Sequence, residues 1–189
     1  MTRLVLASAS PRRRQLLEML GIQVEVRPSA VPEVHRPGEA PRDYALRLAH
    51  DKARAVPGHL VLAADTTVVL DGELLEKPAD EDDAVRMLLR LQGRTHDVVT
   101  AVALRAGETV FEAMDVTAVT FRPAREVLLR AYVRTGEPMD KAGAYGIQGY
   151  GAALVERIDG DFFGVMGLPI RLVLDLLAEA GFPYEFPKR

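Results

Sequence analysis

Asp65 stands in the run Leu62-Ala63-Ala64-Asp65-Thr66-Thr67-Val68-Val69, a carboxylate between apolar flanks. Burying an unpaired carboxylate costs several kcal/mol or more, so this side chain must be paired, protonated or metal-bound. The plainer alternative is an aspartate at a strand end, capping a bend. Thr66 and Thr67 bring two hydroxyls to the same spot, which favours a functional reading.

A second anomaly is Arg12-Arg13-Arg14, placed directly after Pro11 and before Leu16, Leu17 and Leu20. A helix N-terminus already carries partial positive charge and favours acids. On a wheel of about 3.6 residues per turn, Arg13 points along the leucine stripe, Arg12 flanks it and Arg14 points away. Arg14 reads as solvated charge. Arg13 is either a snorkelling stem with a wet head or an anion ligand. The tight turn Ser8-Ala9-Ser10-Pro11 adds two hydroxyls to backbone N–H groups and a guanidinium fork, a set suited to phosphate.

Lys52 repeats the pattern on the next helix, sharing a face with Ala45, Leu48 and Ala55. It either snorkels or is aimed at a partner. Lys77, at a hairpin exit, and Glu33, in a proline-rich loop, would by default be exposed. The stretch Asp140 to Gly151 is glycine-rich and could wrap a ligand with backbone. No GxxxxGK[ST] motif occurs, so this is not a P-loop. A phosphate-binding turn, a buried acid, further carboxylates and lysines, with neither histidine nor cysteine among them, point to Mg²⁺-assisted phosphate chemistry.

The chain has 189 residues, 48% apolar and 27% charged, an ordinary globular profile with room for one sizeable core or two small lobes. A net charge of −3 argues against a general nucleic-acid coat protein. The absence of cysteine excludes disulfides and thiolate metal sites. His35, His50, His59 and His96 lack zinc-ligand spacing. No signal peptide or membrane-spanning run is legible, so a cytoplasmic protein is expected.

Residues 3–8, 24–29 and 59–70 read as strands, with Asp71-Gly72 as a hairpin turn and "ELLEKP" as its return arm. Two long strands follow over 96–123. Helices are expected at 10–20, 41–56, 80–93, 124–136 and 169–181, the first with Ser10 as N-cap and Gly21 as its stop. "AALVERI" and "FFGVMG" read as two short strands, and the C-terminal tail as loosely held. Interspersed strands and helices predict an α/β or α+β fold with a mixed sheet.

In this order, "SASPRR" (8–13), Glu33, Lys52 in "HDKARA", "AADTTV" (63–68), "EKP" (76–78), "GRTHDVVTAV" (93–102), "DKAGAYGIQG" (140–149) and "VMGLP" (165–169) resemble the Maf family of nucleotide pyrophosphatases. The resemblance spans nearly the whole chain and implies a single Maf-like domain over 1–189. It implies a two-lobed mixed sheet with a central nucleotide cleft, related to inosine triphosphate pyrophosphatases. It implies hydrolysis of nucleoside triphosphates to monophosphate and pyrophosphate with a divalent cation, Mg²⁺ or alternatively Mn²⁺. Arg12, Thr66 and Gln148 match the branch acting on dTTP and UTP.

On that resemblance, Asp65 would be general base and, with Glu33, a metal ligand. Lys52 and Lys77 would neutralise the leaving pyrophosphate. Ser8, Arg12 and Arg13 would hold the triphosphate, and Gln148 would pair with the pyrimidine edge. The implied partners are the nucleotide and a second copy of the chain, with no stable nucleic acid and no membrane. Gly164 departs from the family pattern, which often has a polar residue there. The alternative is a nucleotide-sensing or nucleic-acid-binding regulator of septum formation.

Overall fold

The first apolar run forms β1 (Leu4–Leu6), buried throughout. It is followed by α1 (Pro11–Met19), β2 (Val24–Val26), α2 (Pro41–Ala55), β3 (Leu60–Leu70), β4 (Glu73–Leu75) and α3 (Glu81–Leu91). Then come β5 (Thr95–Ala106), β6 (Thr109–Phe121), α4 (Glu126–Val133), β7 (Val155–Asp159), α5 (Phe162–Met166) and α6 (Ile170–Glu179). Three 3-10 segments, Glu137–Asp140, Ala142–Ala144 and Tyr150–Leu154, lie between α4 and β7. This computed structural model describes residues 3–187.

The strands make a seven-stranded mixed sheet in the order β2-β1-β3-β5-β6-β7, with β4 paired to β3 outside that path. β1 runs parallel to both neighbours, Val5 standing opposite Glu25 and Val61. Parallel strands need crossovers, and α1 and α2 supply them. The β3–β4 hairpin closes through Asp71 and Gly72, at φ 54° and 82°, with Leu70 opposite Glu73. Two successive left-handed residues are what a type I′ hairpin turn requires.

The chain divides into two compact units. One contains the residues up to Asp65, Thr100–Asp115 and those from Gly167 on; the other contains Thr66–Val99 and Val116–Met166. In the first, Leu16 and Leu17 of α1 are buried, as are Tyr44, Leu48 and Ala53 of α2. The second has a core drawn from Val68, Leu88, Val98, Phe121, Leu129 and Ile147, among others.

Local signals explain most boundaries. α1 ends as a Schellman turn: Gly21, at φ 75°, donates its N–H to Glu18 O at 2.9 Å, and Ile22 donates to Leu17 O at 3.0 Å. Asp80 caps α3 by accepting from the Asp83 N–H at 2.7 Å.

Four expectations are corrected. "FFGVMG" is the helix α5 and not a strand, because the Asp161 carboxylate accepts from the N–H groups of Phe163 and Gly164 at 2.8 and 3.1 Å. The first half of "AALVERI" is 3-10 turn, and only Val155–Asp159 pairs with β6. Ser10 has the extended backbone of an N-cap, yet its side chain makes no cap hydrogen bond. The tail is tied down as far as Tyr184, whose hydroxyl donates to Leu20 O at 2.8 Å; Lys188 and Arg189 lie outside the described residues. Among the described residues, no helix is long and apolar enough to cross a membrane.

Candidate functional site

The turn between β1 and α1 builds the first part of the site. Ser8 is buried at the end of β1, and its Oγ accepts from the Ser10 N–H at 3.2 Å. Arg13 donates from Nη1 to the same Oγ at 3.0 Å and from Nε to Gly167 O at 2.8 Å. Two fixed hydrogen bonds orient the guanidinium plane before any ligand arrives. Burial pushes the Arg13 pKa down from its usual value; Asp65 and Glu33 oppose the shift, and Arg12 adds to it. Arg14, one residue on, is exposed and pairs with Glu18 at 2.7 Å, one helical turn away. The wheel thus separates these two neighbours correctly.

The second part converges on Lys52. Its residue is only 6% exposed, on the inner face of α2. That face is formed by Tyr44, Ala45, Leu48, Ala49, Lys52 and Ala53; Ala55, expected on it, is exposed at the helix end. Lys52 Nζ lies 2.7 Å from Asp65 Oδ1 and 2.6 Å from Glu33 Oε1. Asp65 is buried and therefore paired, one of the three states its position demands. Glu33 is half-exposed, brought in by the proline-rich loop.

That loop is clasped to α2. Arg47 donates from Nε and Nη2 to the two Glu39 carboxylate oxygens at 2.6 and 2.7 Å, and from Nη2 to Val34 O at 3.1 Å. The Arg47 fork holds the Glu39 carboxyl down at about 2, well below the usual range. Sequence reasoning passed over this pair, because a charged residue in a proline-rich loop reads as solvent-facing.

Ser8, Arg12, Arg13, Glu33, Lys52 and Asp65 all belong to the first unit. Thr66, Lys77 and Gln148 belong to the second. Thr66 follows Asp65 in β3, where successive side chains alternate between the two faces of a strand, so adjacency in sequence does not by itself bring the two to one spot. Lys77 is exposed after β4, and Gln148 is exposed in the turn following Tyr145.

The glycine-rich segment carrying Gln148 has an organising pair that the sequence did not reveal. Tyr132 donates its hydroxyl to Glu137 Oε1 at 2.8 Å, and Glu137 accepts from the N–H groups of Tyr150 and Gly151 at 2.8 and 2.9 Å. The glycine spacing was the available signal, since a Cβ at Gly149 would collide with the Glu137 carboxylate.

Glu33 and Asp65 offer hard carboxylate oxygens converging on one cationic position, the Lys52 Nζ. Among the described residues no group of three or more His, Asp or Glu side chains is arranged to hold a metal. Two carboxylates suit Mg²⁺, which completes its shell from substrate phosphate and water, and do not suit a cation held by protein alone.

The Maf-like protein family pattern matches residues 3–180. The chain belongs to the Maf family. A relative from Anaeromyxobacter dehalogenans, named dTTP/UTP pyrophosphatase, is 54% identical over 98% of each chain. Another of that name from Koribacter versatilis is 50% identical over 94% of each. Among solved structures, a HAM1 protein from Coxiella burnetii superposes with a TM-score of 0.53 at 17% identity, over 95% of this Maf chain and 100% of its own. That likeness speaks for the fold and agrees with the mixed α/β sheet expected from sequence.

Proposed function

We propose that this Maf-family chain is a nucleoside triphosphate pyrophosphatase, converting dTTP and UTP to the monophosphate and pyrophosphate in the cytoplasm. The observation that carries the reading is the buried Lys52 ammonium between Glu33 and Asp65, in a chain 54% identical to a relative named for that activity.

Hydrolysis at the α-phosphorus breaks its bond to the oxygen bridging to the β-phosphorus. Water supplies the new P–O bond, and pyrophosphate leaves with the electron pair. Asp65 is the proton acceptor for that water. Ser8, Arg12 and Arg13 bind the phosphate oxygens; Arg13 is already oriented by Ser8 and Gly167. Lys52 and Lys77 offset negative charge developing on the leaving pyrophosphate. A divalent cation, Mg²⁺ with Mn²⁺ as the alternative, would be held by Glu33 and Asp65 and would polarise phosphate oxygens.

Thr66 and Gln148 set the choice of base. The Gln148 amide carries both donor and acceptor, matching the N3–H and O4 edge common to uracil and thymine. No observation favours the septum-regulator alternative. Pyrophosphate release measured across dTTP, UTP, CTP, GTP and ATP with Mg²⁺ tests the reading. Turnover of dTTP and UTP above the rest is expected; no turnover of any triphosphate overturns it.

A further inference from the structure

Gln148 sits third in a four-residue turn closed by a 3.4 Å hydrogen bond from the Gly149 N–H to Gly146 O. Exposed turns with two glycines are ordinarily compliant. This one is pinned on both sides. On its leading side the Gly146 N–H donates to the Tyr132 hydroxyl at 3.0 Å, a buried bond. On its trailing side the N–H groups of Tyr150 and Gly151 donate to the two oxygens of Glu137. The Tyr132 hydroxyl in turn donates to Glu137, so one phenol and one carboxylate form a bracket spanning the residues on either side of Gln148.

Further features tie the bracket to this turn. Lys141 Nζ donates to the Glu137 main-chain carbonyl and pairs with Asp140, fixing the 3-10 segment that presents the carboxylate. Glycine is required where the bracket touches: a Cβ at Gly149 would meet the Glu137 carboxylate, and one at Gly151 would lie 2.7 Å from the Tyr132 hydroxyl. A carboxylate accepting two backbone N–H bonds and a hydroxyl bond is a strong, directional anchor.

We infer that Glu137 and Tyr132 are positioning residues for base selection, holding the turn so that the Gln148 amide meets the pyrimidine edge at a fixed place. The inference rests on the base-reading role of Gln148 given above. Neither residue need touch the nucleotide; each acts through the backbone around Gln148. Discrimination by a paired amide depends on its placement, because a misplaced amide leaves the polar edge unpaired and loses its advantage for uracil and thymine.

The test compares Glu137→Gln, Tyr132→Phe, Gln148→Ala and the Glu137→Gln/Gln148→Ala double variant. Each is assayed for kcat/KM on dTTP, UTP, CTP and GTP, with hydrogen exchange at the Tyr150 and Gly151 amides as a direct readout of the bracket. Glu137→Gln keeps the size but puts an NH₂ against one N–H donor. Expected is a loss of roughly tenfold or more on dTTP and UTP relative to CTP and GTP. The two amides should also exchange faster in Glu137→Gln. Tyr132→Phe should fall between it and the parent, and the double variant should be no less selective than Gln148→Ala alone.

If Gln148→Ala erases the preference while Glu137→Gln keeps it, or lowers all four substrates equally, the positioning role is overturned and the base-reading role stands. Unchanged amide exchange in Glu137→Gln overturns it as well. If Gln148→Ala leaves the preference intact, the base-reading role falls and the positioning role with it.

Discussion

Lys52 and Asp65 form a buried ion pair, Nζ to Oδ1 at 2.7 Å, between the inner face of α2 and the middle of β3. Removing Lys52 takes from the buried Asp65 carboxylate its cationic partner, whereas removing the Asp65 charge leaves Lys52 paired with Glu33 at 2.6 Å. The two losses differ in kind. Asparagine in place of Asp65 keeps a carbonyl oxygen near the ammonium, but it can neither accept the proton of water nor ligate a cation as an anion. Asp65→Asn is therefore expected to lower kcat by about 10²–10⁴ while the far-ultraviolet dichroism spectrum is retained. Steady-state pyrophosphate release settles it: more than a tenth of the parent kcat would exclude Asp65 as the base.

Arg13→Ala should raise KM for triphosphates much more than Arg14→Ala. Arg13 is held by Ser8 and Gly167, whereas Arg14 makes an exposed pair with Glu18. Such a surface pair contributes about 0.3–0.5 kcal/mol to stability and nothing to phosphate binding. Equal changes in KM would refute the division of labour between the two.

Arg47→Ala should loosen the segment that carries Glu33, because Arg47 grips both Glu39 and the Val34 carbonyl next to Glu33. The expected result is a several-fold rise in the Mg²⁺ concentration giving half the maximal rate, with a smaller change in kcat at saturating Mg²⁺. A metal titration of the two proteins reads this directly. An unchanged midpoint would show that the clasp does not govern Glu33.

His96 gives a pH prediction. It is buried against Phe121 and Tyr145, its Nε2 2.8 Å from the Tyr145 hydroxyl and its Nδ1 buried with no hydrogen-bond partner among the described residues. Burial lowers its pKa from 6.5 to about 4. The unfolded chain therefore binds the proton first as pH falls. Stability is complete above about pH 6.5 and declines as pH drops toward about 4, by roughly 3 kcal/mol over that window. Urea unfolding at pH 7 and pH 4.5 should show this slope, and His96→Phe should flatten it. An identical slope in the variant would place the acid sensitivity elsewhere.

The sequence is most legible where a local rule and the tertiary environment agree. Asp71-Gly72 announces its hairpin because only a left-handed pair closes a two-residue turn, and φ is positive at both. Arg13 and Arg14 separate on a wheel because α1 buries one side against the fold. Phe162 to Met166 misleads because aromatic and β-branched residues suggest a strand, while the deciding interaction is the Asp161 cap. Glu137 is hidden for a different reason. Its partners, the Tyr150 and Gly151 N–H groups, are backbone atoms that every residue but proline carries, so no residue type marks the pairing. Glu33 and Lys52 each stand out in the sequence, but their 2.6 Å contact depends on a loop whose course the clasp of Arg47 and Glu39 sets.

The bond from Arg13 to the Gly167 carbonyl joins positions 154 residues apart. On the ribosome, Ser8 and Arg13 are made long before Gly167, the acceptor that fixes the guanidinium. The segments Thr66–Val99 and Val116–Met166 are all synthesised before Gly167. The unit that holds Arg13 thus gathers its parts from both sides of the other unit's segments, and the arginine oriented for phosphate is locked only after those segments have been made. An N-terminal fragment ending before Gly167 would carry the motif Ser8-Ala9-Ser10-Pro11-Arg12-Arg13 and lack the carbonyl that aims it.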